Sequence, residues 1–78
     1  MQLVFTRHAR HRMDAYRISQ SDATAALLAP DSVIEGHGGR KIAQRRINSH
    51  ILRIIYEENE DVITAVTAYK AKAERYDV

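Results

Sequence analysis

Two nearly continuous apolar runs, close together in the chain, constrain the fold more than any other feature. Residues 51–56 and 62–68 are rich in β-branched side chains, which favour strands. The acidic segment 57–61 lies between them and is short enough to form a turn. The pattern predicts a central antiparallel hairpin.

Two start signals upstream predict two short helices in series. The hydroxyl of Thr6 can cap a helix that runs from about Arg7 to Tyr16. Ser19, with an acidic residue three positions later, has the pattern of a capping box. Pro30 ends the second helix, because the residue before a proline is disfavoured in the helical region.

Weaker segments complete the predicted fold. Residues 2–5 are a strand or simply extended chain, residues 32–35 and 40–47 are strands, and the glycine-containing segment 36–39 is a hairpin turn. Residues 48–50 form a further turn, and residues 69–78 form a tail without a hydrophobic period. We expect an α+β fold in which two N-terminal helices pack on one face of a three- to four-stranded antiparallel sheet.

Strand alternation divides residues 51–56 between the two faces of that sheet. The set expected to face the helices is Leu52, Ile54 and Tyr56, and the set expected to face away is Ile51, Arg53 and Ile55. The second face is too apolar to be left bare, so either a partner or a terminal segment of the chain covers it.

Length and composition limit the architecture further. The chain has 78 residues, 45% of them hydrophobic and 28% charged, as expected for one folded domain over residues 1–78 with a thin core. It has no cysteine, so neither a disulfide nor a thiolate zinc site can add stability. We find no secretory signal pattern and no apolar run of the ~20 residues that a membrane span needs. We therefore expect a cytoplasmic protein without a membrane segment.

Charge is unevenly distributed although the net charge is only +2. Arginines crowd the first predicted helix, and a second basic group in the middle of the chain contains no acid. That middle group is Arg40, Lys41, Arg45, Arg46 and Arg53. Guanidinium groups match phosphate oxygens, so this group is interpreted as a surface that binds phosphate. An acidic protein would suit this surface as well as RNA does. The alternative is a solvated sheet edge protected by charge, but an edge usually needs only one or two such residues, so five favour a binding role.

An imidazole and a guanidinium share one face of the first predicted helix. His8 and Arg12 are four residues apart, so a histidine that transfers a proton would lie beside a cation that stabilises phosphate charge. In the alternative structural role, His8 caps the helix and Arg12 pairs with Asp14 or Glu35. His8 and His11 could chelate a metal, but no neighbouring ligand completes a site, so we expect neither a metal nor another cofactor.

The order of these residues resembles the small bacterial and archaeal domain of unknown function 4258 family, which is usually placed near the RelE and BrnT toxins. The resemblance lies in His8 with Ala9, Arg12 with Met13, Arg17 to Ser19, the helix that ends at Pro30, a strand like residues 62–69 and a basic, aromatic tail at 70–76. It implies a RelE/BrnT-like α+β fold, a ribonuclease that needs no metal, RNA or the ribosome as target, and an antitoxin as partner. The modest charge and the acidic segment depart from this pattern and argue against strong ribosome binding.

The leading hypothesis is therefore a toxin-like endoribonuclease. Its catalytic residues would be His8, Arg12, Arg53 and Tyr76, and its nucleic-acid-binding residues would be Arg17, Arg40, Lys41, Arg45, Arg46, Lys70 and Arg75. One alternative is a binding module without catalysis, which uses the same basic surface. Another is a homodimer that pairs the apolar faces of two sheets.

Overall fold

A computed structural model describes residues 1–75, in which five strands form one sheet beside two α-helices. In chain order the elements are β1 (Gln2–Phe5), α1 (Arg7–Tyr16), α2 (Gln20–Leu28), β2 (Ser32–Glu35), β3 (Lys41–Ile47), β4 (His50–Asn59), β5 (Val62–Lys72) and a 3-10 turn (Ala73–Arg75). The order of strands in the sheet is β1, β5, β4, β3, β2. The α+β class is confirmed.

The predicted central hairpin is confirmed, with a tighter turn than expected. β4 and β5 pair antiparallel along their whole length, from Asn59 opposite Val62 to His50 opposite Lys72. Only residues 60 and 61 form the turn, and Glu60 takes a positive φ of 56°. The prediction that the whole segment 57–61 is a turn is wrong, because Glu57 and Glu58 continue the ladder with β5. β5 likewise extends through residues 69–72, which the sequence placed in a tail.

The prediction of a three- to four-stranded antiparallel sheet is wrong in strand number and in orientation. β1 forms the fifth strand and lies parallel to β5, with Gln2 opposite Val62 and Phe5 opposite Ala65. The sheet is therefore mixed. The physical reason is that β1 joins β5 at the edge of the hairpin that the later strands do not occupy.

Both helix starts form as the sequence predicts. The Thr6 hydroxyl accepts a hydrogen bond from the Ala9 N–H at 3.0 Å and donates to the carbonyl of Val66, also at 3.0 Å. The hydroxyl of Ser19 accepts from the N–H of Asp22 at 3.0 Å. Thr6 therefore begins α1 and also ties it to β5.

The core lies between the helices and one face of the sheet. The helices contribute Ala9, Met13, Ile18, Ala23, Ala26 and Leu27, and the sheet contributes Ala43, Leu52, Ile54, Tyr56, Ile63, Ala65 and Ala68. The predicted set of helix-facing residues on β4 is thus confirmed. On the face away from the helices, Ile51 near the start of β4 is fully buried and Arg53 is 9% exposed.

Two further features are the turn between β2 and β3 and the length of the helices. Gly38 and Gly39 take positive φ angles of 65° and 78° in the turn between the antiparallel strands β2 and β3, as the hairpin prediction requires. Neither α1 nor α2 is long and apolar enough to cross a lipid bilayer, and the same holds for all helical structure within residues 1–75.

Candidate functional site

A row of polar side chains crosses the sheet on the face away from the helices. Ser32, Gln44, Arg53 and Tyr69 are successive register partners on β2, β3, β4 and β5, and register partners project to the same face. The Gln44 amide donates to the Ser32 hydroxyl at 2.9 Å, and the Arg53 guanidinium donates to the Tyr69 hydroxyl. The row therefore runs across four strands, from Ser32 on β2 to Tyr69 on β5.

A second arginine and tyrosine reach this row from α1. Arg12 donates to the Tyr16 hydroxyl at 3.2 Å, and its guanidinium carbon lies 5.0 Å from the centre of the Tyr16 ring. The ring of Tyr16 lies 6.5 Å, centre to centre, from the ring of Tyr69 at a tilt of 54°. The Arg53 guanidinium carbon lies 5.5 Å from the Tyr69 ring centre. We call Arg12, Tyr16, Arg53 and Tyr69 the Tyr/Arg cluster.

The local sequence explains how the Tyr/Arg cluster forms. Arg12 and Tyr16 are four residues apart and so contact each other along α1. α1 packs mainly against β5. Among the described residues, β1 pairs with β5 only from Val62 to Ala65, so Tyr16 in the last turn of α1 reaches Tyr69 past the outer edge of β5. The acceptor that Tyr16 offers to Arg12 is a hydroxyl and not a carboxylate, so this bond leaves the charge of Arg12 able to attract an anion.

The two arginines of the Tyr/Arg cluster differ in exposure. Arg53 is only 9% exposed, whereas Arg12 is half-buried. A guanidinium that is buried this far is costly unless it makes hydrogen bonds, and Tyr69 supplies one of its acceptors. Arg53 therefore holds the Tyr69 side chain, while Arg12 stays partly exposed to solvent.

A basic cleft adjoins the Tyr/Arg cluster at the end of α1. Its volume is about 570 Å³, and it is lined by Ala15, Tyr16, Arg17, His50, Lys70 and Lys72. The Lys70 ammonium donates to the backbone carbonyl of Arg17 at 3.3 Å, and His50 is the register partner of Lys72. Tyr16 belongs to both the cleft and the Tyr/Arg cluster. None of the described lining residues carries a carboxylate.

Of the four predicted catalytic residues, the structure brings two together. Arg12 and Arg53 are linked through the contacting rings of Tyr16 and Tyr69, whereas His8 is exposed on α1, one turn before Arg12. The alternative structural roles are wrong: Thr6 caps α1 instead of His8, and Arg12 contacts Tyr16 instead of an acid. Tyr76 lies outside the described residues.

The predicted basic surface of the middle strand does not form one patch. Arg40 makes an ion pair with Glu57 at 2.9 Å, and Arg45 donates to the carbonyl of Ala29 at the end of α2 at 2.6 Å. Arg46 donates through its side chain to the carbonyl of Asn48 at 3.3 Å. By strand alternation, Lys41 and Arg45 lie on the helix side of the sheet and Arg46 on the other side.

Of the remaining predicted binding residues, Arg17 and Lys70 come together in the basic cleft, and the side chain of Arg75 is not among those described.

The sequence analysis did not select Gln44, His50 or Lys72. Gln44 is 4% exposed, and its side-chain oxygen has no hydrogen-bond partner among the described residues. His50 and Lys72 could be found only from the hairpin register, which pairs them.

Within residues 1–75, no group of three or more histidines and carboxylates lies close enough to hold a metal ion. The cations at the candidate site are those of arginine and lysine side chains.

Comparison with known proteins gives one result. A family model described as a domain of unknown function (DUF4258) matches residues 5–71, which is most of the chain. No curated protein and no solved structure matches the chain significantly. The matched segment includes all four residues of the Tyr/Arg cluster.

Proposed function

The chain belongs to the DUF4258 family, whose description names no function, and we propose that this protein is a toxin-like endoribonuclease that cleaves RNA without a metal ion. The observation that supports the proposal is the Tyr/Arg cluster. In it, Arg12 and Arg53, 41 positions apart in the sequence, lie over the rings of two contacting tyrosines.

The proposed reaction is transfer of the phosphate to the neighbouring ribose hydroxyl. The 2′-hydroxyl gives its proton to an imidazole, and its oxygen attacks the adjacent phosphorus while the bond to the 5′-oxygen breaks. The 5′-oxygen takes a proton from water, and the imidazolium returns its proton to the solvent, so the products carry a 2′,3′-cyclic phosphate and a 5′-hydroxyl. Negative charge builds on the phosphate oxygens in the transition state, and a positioned cation stabilises it.

Each residue of the Tyr/Arg cluster has a role in this proposal. Arg12 binds the phosphate at which the bond breaks, since its charge is directed to a hydroxyl and not to an acid. The rings of Tyr16 and Tyr69 offer surfaces on which bases stack. Arg53 is a positioning residue that orients Tyr69. His8, one turn before Arg12 on α1, is the proposed proton acceptor.

An antitoxin is the proposed partner. The Tyr/Arg cluster and the basic cleft together expose cations and aromatic rings near the C-terminal end of α1. An acidic protein segment would complement this surface and block RNA. This part of the proposal depends on the resemblance to RelE and BrnT toxins.

The test is product analysis with purified protein and a single RNA oligonucleotide, in EDTA. We expect cleavage to products with a 2′,3′-cyclic phosphate, and no cleavage of the same sequence with 2′-O-methyl groups, which cannot attack. His8→Gln should reduce the rate by about 10²-fold or more, as expected for loss of a general base. Absence of cleavage, or cleavage of the 2′-O-methyl strand, would overturn the proposal.

A second candidate is an RNA-binding module without catalysis. The observation that favours it is the exposure of His8 on α1. Such a protein would bind the 2′-O-methyl strand and the RNA equally and would release no product from either.

A further inference from the structure

We propose that the basic cleft is a second phosphate-binding site, which takes a backbone phosphate of the same RNA strand beyond the one at Arg12. The inference rests on the proposed function for the identity of the ligand, but it concerns binding and does not require cleavage. Two of the residues that carry it, His50 and Lys72, are new to the site.

The first argument is that nitrogen-bearing side chains from three separate elements converge. Arg17 follows α1, His50 begins β4, and Lys70 and Lys72 lie near the end of β5. No described residue lining the cleft is acidic. Like charges repel, so an anion bound at the cleft would offset the repulsion among the three permanent cations, Arg17, Lys70 and Lys72.

The second argument is that the cleft is held in shape by the fold. Lys70 donates to the carbonyl of Arg17, the residue that ends α1 in a left-handed conformation at φ 56°. His50 is fixed by its pairing with Lys72, and its Nδ1 lies 3.3 Å from the Ser49 hydroxyl. The cleft therefore depends on the end of α1 and the hairpin register, and not on a loop.

Continuity with the Tyr/Arg cluster identifies the ligand as a strand and not a small molecule. Tyr16 lines the cleft, and its ring contacts Tyr69. A strand whose phosphate lies at Arg12 therefore passes Tyr16 and reaches the cleft. Arg17, His50 and Lys72 are all exposed, which suits a chain that lies across the surface.

One acid lies close to part of this site. Glu74 lines a smaller cavity of about 200 Å³ that shares His50 and Lys72 with the basic cleft. Its charge offsets part of the positive potential on that side. We therefore expect the phosphate to contact His50 and Lys72 on their side towards Arg17 and Lys70, away from Glu74.

The experiment measures binding of a labelled 2′-O-methyl oligonucleotide by fluorescence anisotropy over a range of salt concentrations. The test variant is His50→Gln with Lys72→Gln, which leaves the Lys70 contact with α1 intact. The matched control is Arg10→Gln with His11→Gln, which also removes one permanent cation and one imidazole, since both residues are exposed on α1 and lie outside the proposed sites. A thermal melt of each variant shows that it is folded.

We expect binding by the test variant to be about two- to fivefold weaker, the range for exposed charged contacts. The slope of log K against log salt should also fall by about 0.7, the value for one lost phosphate contact on a single strand. An affinity and slope equal to those of the control would overturn the proposal.

Inorganic phosphate separates the two sources of the ligand. If phosphate alone perturbs the NMR signals of His50 while the test variant binds the oligonucleotide as tightly as the control does, the cleft takes free phosphate and the proposal is wrong. If the oligonucleotide binds as expected and RNA is never cleaved, the second phosphate site stands and the ribonuclease proposal falls.

Discussion

The guanidinium of Arg53 donates a hydrogen bond to the hydroxyl of Tyr69, its register partner on the neighbouring strand. The same guanidinium lies over the Tyr69 ring. Arg53 thus contacts both the hydroxyl and the ring of Tyr69, on the face of the sheet away from the helices. Tyr69 in turn contacts Tyr16, so Arg53, by holding the Tyr69 ring, also helps to position Tyr16 on α1.

Removing the Tyr69 hydroxyl should destabilise the fold. In Tyr69→Phe the buried Arg53 loses one acceptor, which costs about 1–3 kcal/mol of unfolding free energy. Urea unfolding followed by circular dichroism measures the loss. Tyr16→Phe is the control, because the partly exposed Arg12 can bond water instead and the cost should be about 1 kcal/mol or less. Equal costs for the two variants would contradict this account of Arg53.

Thr6 should contribute more to stability than Ser19, although both cap a helix. The hydroxyl of Thr6 makes a cap bond and also donates to Val66 on β5, whereas that of Ser19 makes a cap bond on an exposed surface. We expect Ser19→Ala to cost about 1 kcal/mol and Thr6→Ala about 1 kcal/mol more, for the additional hydrogen bond. Chemical unfolding of both variants tests the difference, and a cost for Thr6→Ala no larger than that for Ser19→Ala would refute it.

Tyr56 should make the protein less stable in alkali. Burial raises the pKa of Tyr56 above the usual 10.0, with Lys41 lowering it and Glu58 and Glu35 raising it further. Because the pKa is higher in the folded state, this contribution to stability is complete below pH 10 and is lost as the pH rises towards the folded-state pKa.

The measurement is the unfolding free energy between about pH 8 and pH 11. Tyr56→Phe has no group to ionise at this position, so its stability should fall less steeply over the same range. Parallel pH profiles for the wild type and Tyr56→Phe would show that Tyr56 is not responsible.

Local sequence signals were sufficient for the helices and for the central hairpin. The hydroxyls of Thr6 and Ser19, the proline at position 30 and the apolar runs act over a few residues, so they predict α1, α2 and the pairing of β4 with β5. Alternation then assigned the face of each residue in 51–56 correctly, because that run contains no break.

Long-range pairing could not be predicted in the same way. β1 contacts β5 across some 60 positions of sequence, and nothing in its four residues specifies that partner. The hairpin also contains a bulge, since Ile55 pairs with Thr67 while Tyr56 pairs with Ala65. The extra residue, Val66, shifts the alternation along β5, which is why the position of Tyr69 beside Arg53 could not be obtained by counting from the turn.

The candidate site was predictable only in part for the same reason. The spacing of Arg12 on α1 and the face of Arg53 were available from the sequence, but the tyrosine contact that joins them depends on how α1 packs on β5. The middle basic group looked like one surface because its residues are close in the sequence, although neighbours along a strand project to opposite faces of the sheet. In the fold, Arg40 pairs with Glu57, and Arg45 donates a hydrogen bond to the carbonyl of Ala29 at the end of α2.

The central claim is that the charge of Arg12 acts on an RNA phosphate. The most direct measurement is the ratio of single-turnover RNA cleavage rates for Arg12→Gln and Arg10→Gln, two variants that remove one arginine each from α1. The account predicts that Arg10→Gln cleaves like the wild type and that Arg12→Gln is slower by about 10²-fold, as for loss of a group that stabilises transition-state charge. Equal rates for the two variants would contradict it.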